Sequence, residues 1–259
     1  VKVKNGLRKT DQTVQGKARE TMLDFEAKYL QDQQKVKPYY DAAKNIEKKA
    51  DDLYNHITQL KANIMAVASG ERAVVDGGGD LSKYIARDNV LRRDTVLNIK
   101  YLEKKDEYQE ITAYLVGSDP GSPKEGEFSA SNLKSKLETF RDELKAVSFT
   151  DFVGNKFDDS PGLKASFDKT FVYEREMEDG KEVLWEAANF FDVPIAAVIR
   201  ILSKLQIDVE NAKSNMMTEL IAGIEGKSYK FTNLMPLVVP ESNYILRGDS
   251  FRASVLLAA

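Results

Sequence analysis

The 259-residue chain has no cysteine and a single histidine. Without cysteine there are no disulfides and no thiolate chemistry, and the redox compartment stays open, since a cysteine-free chain is at ease in cytosol or periplasm. The lone imidazole, His56, has Asp52, Leu53, Gln59 and Leu60 as its helical neighbours, which leaves no legible Ser/His/Asp arrangement. It is expected to be a solvated or locally hydrogen-bonded side chain. No run reaches the roughly 18–20 apolar residues that a membrane span requires, and no signal peptide is visible. A Gly-rich lysine loop and a dinucleotide fingerprint are both missing. Asp76-Gly77-Gly78-Gly79-Asp80 lacks the ligand spacing and closing glutamate of an EF-hand and reads as a flexible loop. The sequence thus predicts no catalytic residue, no cofactor and no metal site. With net charge −3 and basic residues interspersed among acidic ones, there is no nucleic-acid footprint either.

What is there is mostly helical. Charged residues make up 31% and apolar ones 42%, a balance that suits a globular or bundled protein. A moderately amphipathic helix is predicted over about 13–34, interrupted at Lys37-Pro38. Tyr39, Ala43, Ile46, Ala50, Leu53, Ile57, Leu60, Ile64 and Val67 then alternate by four and three, a coiled-coil-like seam that stops at Ser69-Gly70. A third helix is predicted over 88–116, on Val90, Leu91, Val96, Ile99, Leu102, Ile111 and Leu115. A loop at 117–123 ends it. A shorter helix follows over 132–147, on Leu133, Leu137, Phe140 and Leu144. Residues 149–183 read as irregular chain: a turn at 158–162, a strand-like Phe171-Val172-Tyr173, and a turn at 178–181.

Ile195, Val198, Leu202, Leu205, Val209, Ala212 and Met216, continued by Leu220 and Ile224, form a second seam. Pro194 sits in its first turn, with Asp192 as a candidate cap. Trp185, Phe190 and Phe191 just before it read as core, and the charge-dense stretches 47–49 and 103–107 as solvated faces. Several long antiparallel helices sharing such stripes make a bundle rather than an enzyme cleft. Lys204 and Lys213 are expected on the exposed flanks of the last helix.

The end of the chain belongs to another architecture. Residues 237–259 read as two strands around a tight turn, with Arg247-Gly248-Asp249 supplying the hairpin connection. A lone hairpin is marginal in water. Together with a basic, non-periodic start carrying Lys2, Lys4, Arg8 and Lys9, expected as a flexible lead, this suggests an excised piece of a longer protein. The fold expected is mainly α: a long-helix bundle over 1–227, followed at 228–259 by the first strands of a truncated β-sandwich-like domain.

Three stretches carry a family resemblance. One is Trp185-Glu-Ala-Ala-Asn-Phe-Phe-Asp-Val-Pro-Ile-Ala-Ala-Val198, followed by Leu202-Ser-Lys-Leu-Gln206 and Asp208-Val-Glu-Asn-Ala212. The others are Val239-Pro-Glu-Ser-Asn-Tyr-Ile-Leu-Arg-Gly-Asp249, and Val36-Lys-Pro-Tyr-Tyr40 with Asp52-Leu-Tyr-Asn55. They resemble the GldM/PorM family, while residues 70–180 carry no such likeness. The resemblance implies an inner-membrane-anchored periplasmic homodimer of the Bacteroidota type IX secretion and gliding machinery. It further implies a proton-driven motor with a small membrane partner (GldL/PorL), reached through a transmembrane helix absent from this chain. Distal domains, also absent, would contact an outer-membrane-associated ring (GldK/GldN or PorK/PorN).

On this reading the chain transmits force and is not an enzyme. The alternative is a non-catalytic helical adaptor or scaffold outside that system. An enzyme would need an acid/base pair assembled from scattered carboxylates.

Overall fold

The computed structural model describes residues 2–88, 93–95, 108–152, 154–158, 160–178, 180–226, 235–240 and 253–258. The chain is mainly α. It divides into two compact units, Val1–Ile221 and Ala222–Ala259.

Helix α1 (Lys2–Gln31) begins well before the predicted start, so the backbone of the basic lead is helical instead of loose. It ends at Asp32, whose carboxylate accepts from the Lys35 N–H at 3.0 Å and caps α2 (Gln33–Ala68). The break therefore precedes Lys37-Pro38, and Pro38 lies inside α2. A proline there frees only the carbonyl four residues back, that of exposed Gln34, so a cap wins over a breaker. Tyr29 stacks on Tyr40 with ring centroids 4.6 Å apart, and Lys44 reaches Glu26 at 3.6 Å. Eleven residues of continuous helix would set the two rings about 16 Å apart, so the chain reverses at Asp32 and α1 runs back along α2.

All nine residues of the predicted α2 seam are buried. The last two turns, Lys61 to Ala68, are buried on every face, which marks an interior helix. Its end is as expected: Ser69 caps it and Gly70 takes φ 79°, a left-handed value that favours glycine. A short α3 (Arg72–Asp76) and a 3-10 turn (Ser82–Tyr84) follow.

The predicted helix over 88–116 is corrected by the next elements. β1 (Ala86–Asp88) pairs antiparallel with β2 (Arg93–Thr95), and among the described residues of that span only α4 (Gln109–Leu115) is helical, burying Ile111 and Leu115. Turn-forming Asp88-Asn89 and β-branched Thr95-Val96 compete locally with the helical spacing. The other positions counted for that helix lie outside the described residues.

Helix α5 (Ala130–Lys145) is capped by Ser129, whose Oγ accepts from the Asn132 N–H at 3.1 Å. Its stripe Leu133, Leu137, Phe140 and Leu144 is buried. β3 (Ser148–Thr150) and β4 (Lys156–Asp158) follow as a hairpin, in which Phe149 and Phe157 are direct cross-strand partners, stacked at 4.8 Å. Both meet the Tyr39 ring edge-on, at 4.8 and 5.8 Å.

The expected turn at 158–162 is a helix start. Ser160 Oγ accepts from the Leu163 N–H and Pro161 opens α6 (Pro161–Thr170), a pairing of cap and first-turn proline that a turn reading overlooks. Phe171 to Tyr173 is not strand. Pairing instead joins β5 (Glu176–Glu178) to β6 (Lys181–Val183) across the expected turn. α7 (Trp185–Phe190) then leads to α8 (Ile195–Gly226), all of whose predicted seam is buried.

In the second unit, β7 (Met235–Pro240) pairs antiparallel with β8 (Ala253–Ala258), with Leu237 opposite Leu256 and Val238 opposite Val255. The chain linking the strands, including Asn243 to Leu246 and Arg247-Gly248-Asp249, lies outside the described residues.

Candidate functional site

The most built polar feature of the first unit is the seam between α2 and α8. Lys61 Nζ donates to Ser203 Oγ at 2.8 Å and to Gln206 Oε1. Gln206 Nε2 donates to the Tyr54 carbonyl at 3.0 Å and to Thr58 Oγ1 at 2.9 Å. Lys213 Nζ lies 3.3 Å from Asp51 and 2.8 Å from Glu210. As numbers rise along α2 through 51, 58 and 61, their partners fall through 213, 206 and 203, so the helices are antiparallel. Thr58, Lys61, Gln206, Glu210 and Lys213 are all buried, Glu210 fully.

On each helix these polar residues form a second stripe beside the apolar one. Ser203, Gln206, Glu210 and Lys213 alternate by three and four, as do Leu202, Leu205, Val209 and Ala212. An apolar seam by itself tolerates a shift of one heptad, whereas a hydrogen-bonded rung does not; buried polar pairs are best attested as register devices. The geometry holds two long rods at one fixed register. It brings together no nucleophile, base and oxyanion donors.

Sequence reasoning missed this stripe and placed Lys213 on an exposed flank. Its side chain is 6% exposed against 69% for Lys204. The signal was available: a polar row at helical spacing one position beyond an apolar row, on both helices.

The other singled-out residues stand apart from this seam. His56 is half-buried: its ring stacks on Phe128 at 5.0 Å, and its Nε2 is buried without a hydrogen-bond partner. Burial first, and then the charge of Lys136, lower its pKa to about 4, so the ring is neutral near pH 7. Asp76 pairs with Arg72 at 2.9 Å and Asp80 accepts from the Ser82 N–H and hydroxyl, so the chain's own donors occupy both carboxylates. No metal-binding group of His, Cys, Asp and Glu exists among the described residues.

Asp192 adopts φ 54° and its N–H donates to Thr112 Oγ1. At the α8 start the Pro194 carbonyl accepts from the N–H groups of Ala197 and Val198. Trp185 packs edge-on against Tyr173 at 4.8 Å and Phe190 at 5.4 Å, as core. In the charge-dense stretch 47–49, Lys49 reaches across to Glu143 of α5 at 2.8 Å; residues 103–107 lie outside the described part.

Set against known families, residues 1–223 match the GldM N-terminal domain. The chain belongs to the GldM family. The match runs through residues 70–180, where the sequence offered no likeness, and GldM membership ties the chain to gliding motility and type IX secretion. Nothing among curated proteins matches it. Among the described residues no helix is long and apolar enough to cross a membrane.

Proposed function

We propose that this GldM-family chain is a non-catalytic, force-transmitting part of the gliding and type IX secretion machinery. It sits in the periplasm, tethered to the inner membrane by a helix outside these residues, and links a proton-driven motor to an outer-membrane-associated ring. Residues 1–227 act as a helical lever and residues 228–259 open a β domain. GldL/PorL is the motor partner and GldK/GldN or PorK/PorN the ring partner, both through segments outside these residues.

The observation that carries this reading is the register-locked pair of long helices. α2 has 36 residues and α8 has 32, rods of about 54 and 48 Å at roughly 1.5 Å per residue. Load applied to one passes to the other through rungs that must break before the rods slide. A two-fold dimer, also proposed, finds support in α1, where Leu23 and Leu30 stand one heptad apart and exposed (55% and 76%).

A flexible Gly-Ser insert between Lys227 and Ser228 of the full-length protein tests the lever. It leaves both folds intact but uncouples them. A force transmitter loses gliding and secretion while motor and ring partners still co-purify. Retained motility would favour the adaptor or scaffold reading.

A further inference from the structure

A cleft of about 440 Å³ opens where α2, α3 and the loop between α4 and α5 meet. Its floor is the ring of Tyr114. The Arg72 guanidinium carbon lies 5.0 Å from that ring's centroid and Lys124 Nζ lies 5.1 Å from it. The loop is built to hold Lys124 there: its N–H donates to the Val116 carbonyl at 2.7 Å. Gly117 takes φ 101°, a backbone conformation other residues rarely adopt, and a Cβ added there would come up against the Lys124 Cβ at 3.5 Å.

Three donors at the centre of this cleft have capacity left over. Arg72 commits its Nε to Asp76. Among the described residues no carboxylate lies within ion-pair distance of Lys124. Tyr114 O accepts from Asn63 Nδ2 at 2.9 Å, and its own proton has no acceptor among those residues. Burial, and then Arg72, push the Lys124 pKa down, the cost of holding two cations over one ring. Burial chiefly raises that of Tyr114, which keeps the phenol protonated as a donor. A planar carboxylate offers the acceptors these three groups lack.

The lining also limits what carries that carboxylate. Exposed Asp76, Glu125 and Glu127 border the cleft, so a polyanion such as a nucleic acid or an anionic lipid layer is repelled. Val75, Leu81 and Phe128 supply apolar wall. The volume falls in the range of small-ligand pockets, far larger than a lone anion needs. We propose that this cleft binds a peptide segment of a partner protein through one acidic side chain, set between Arg72 and Lys124 over Tyr114, with neutral or basic residues on either side facing the bordering carboxylates. The site is independent of the lever reading, and its test leaves that reading untouched.

The test is an NMR titration of the 259-residue chain with the capped peptide acetyl-Lys-Ala-Glu-Ala-Lys-amide and its Gln counterpart. The Glu peptide should give saturable shifts at Tyr114 and Lys124, with Kd on the order of 1 mM. Binding should weaken by about tenfold or more for the Gln peptide and for Lys124→Gln, and return with Lys124→Arg. Circular dichroism confirms that each variant is folded. No shifts, equal shifts from both peptides, or unchanged binding by Lys124→Gln would overturn the proposal. So would sodium acetate or phosphate saturating the site as tightly as the Glu peptide, which would mean a small-anion site only.

Discussion

Helices α1 and α2 are joined by one residue and run back along each other, yet they are made for different tasks. α2 buries eighteen of its 36 side chains. Among the described side chains of α1 only Gln15, Ala18, Met22 and Phe25 are buried, while Leu23 and Leu30 face solvent. One helix is an axis that other elements cover; the other rests on that axis by a narrow stripe and offers its remaining face. Length and charge density do not separate the two, for both are long and rich in Lys. What separates them is how many faces are covered, and that fixes where a substitution is felt.

The largest effect is expected on the partner of the axis. Leu205→Pro in α8 removes a hydrogen bond and inserts a ring into the preceding turn at a buried position, costing about 3 kcal/mol or more. Thermal unfolding with helicity followed by circular dichroism reads this directly. Unchanged stability would mean that α8 is not an integral rod. Next comes the polar stripe. Lys213→Met removes the ammonium 2.8 Å from buried Glu210 and should cost about 3–5 kcal/mol. Lys204→Met, about two and a half turns away on the opposite, exposed face, should fall within about 0.5 kcal/mol. Adding Glu210→Leu to Lys213→Met should recover much of the loss, because two apolar groups no longer strand a charge. Equal effects at the two lysines would break the contrast between covered and open faces.

These substitutions mark the limit of what the sequence makes legible. Both apolar seams were readable because a period near 3.6 survives any tertiary context. The polar stripe was hidden by residue type: Lys61, Glu210 and Lys213 look like surface residues until a neighbouring helix supplies Ser203, Gln206 and Asp51. Asp32 was hidden likewise, since a capping aspartate differs from a solvated one only by the N–H it accepts. The pairing of Ala86–Asp88 with Arg93–Thr95 defeated periodicity outright, because local preferences decide over so short a span. The Tyr114 cleft draws on Asn63, Arg72 and Lys124, far apart in sequence and joined by no motif.

A smaller effect is expected at His56, on α2 but against Phe128. Its folded pKa is about 4 and its unfolded value about 6.5, so below pH 6.5 the unfolded chain takes up a proton that the folded one refuses. Stability therefore falls as pH drops from 6.5 towards 4 and is insensitive to this group above 6.5. Screening at a partly exposed ring reduces the effect to about 1–2 kcal/mol. Denaturant titrations of wild type and His56→Gln should converge as pH drops through that window. Parallel curves would show that His56 is accessible to protons in the folded state.

The smallest expected effect on stability is the most informative about α1. Leu23 and Leu30 contribute little to the fold of one chain, so Leu23→Glu with Leu30→Glu should change unfolding free energy by no more than about 0.5 kcal/mol per site. If a second copy covers that face, a symmetric contact repeats each leucine twice about the two-fold axis. Four introduced carboxylates would then face one another across it. Light scattering of the parent chain should give a dimeric mass, and the double variant a monomeric one with an unchanged circular dichroism spectrum. A cysteine at exposed Lys204 serves as the control: its crosslinking would move the interface from α1 to α8. A parent chain that stays monomeric over a wide concentration range, with no crosslink at position 204, would leave α1 without a second copy to cover it.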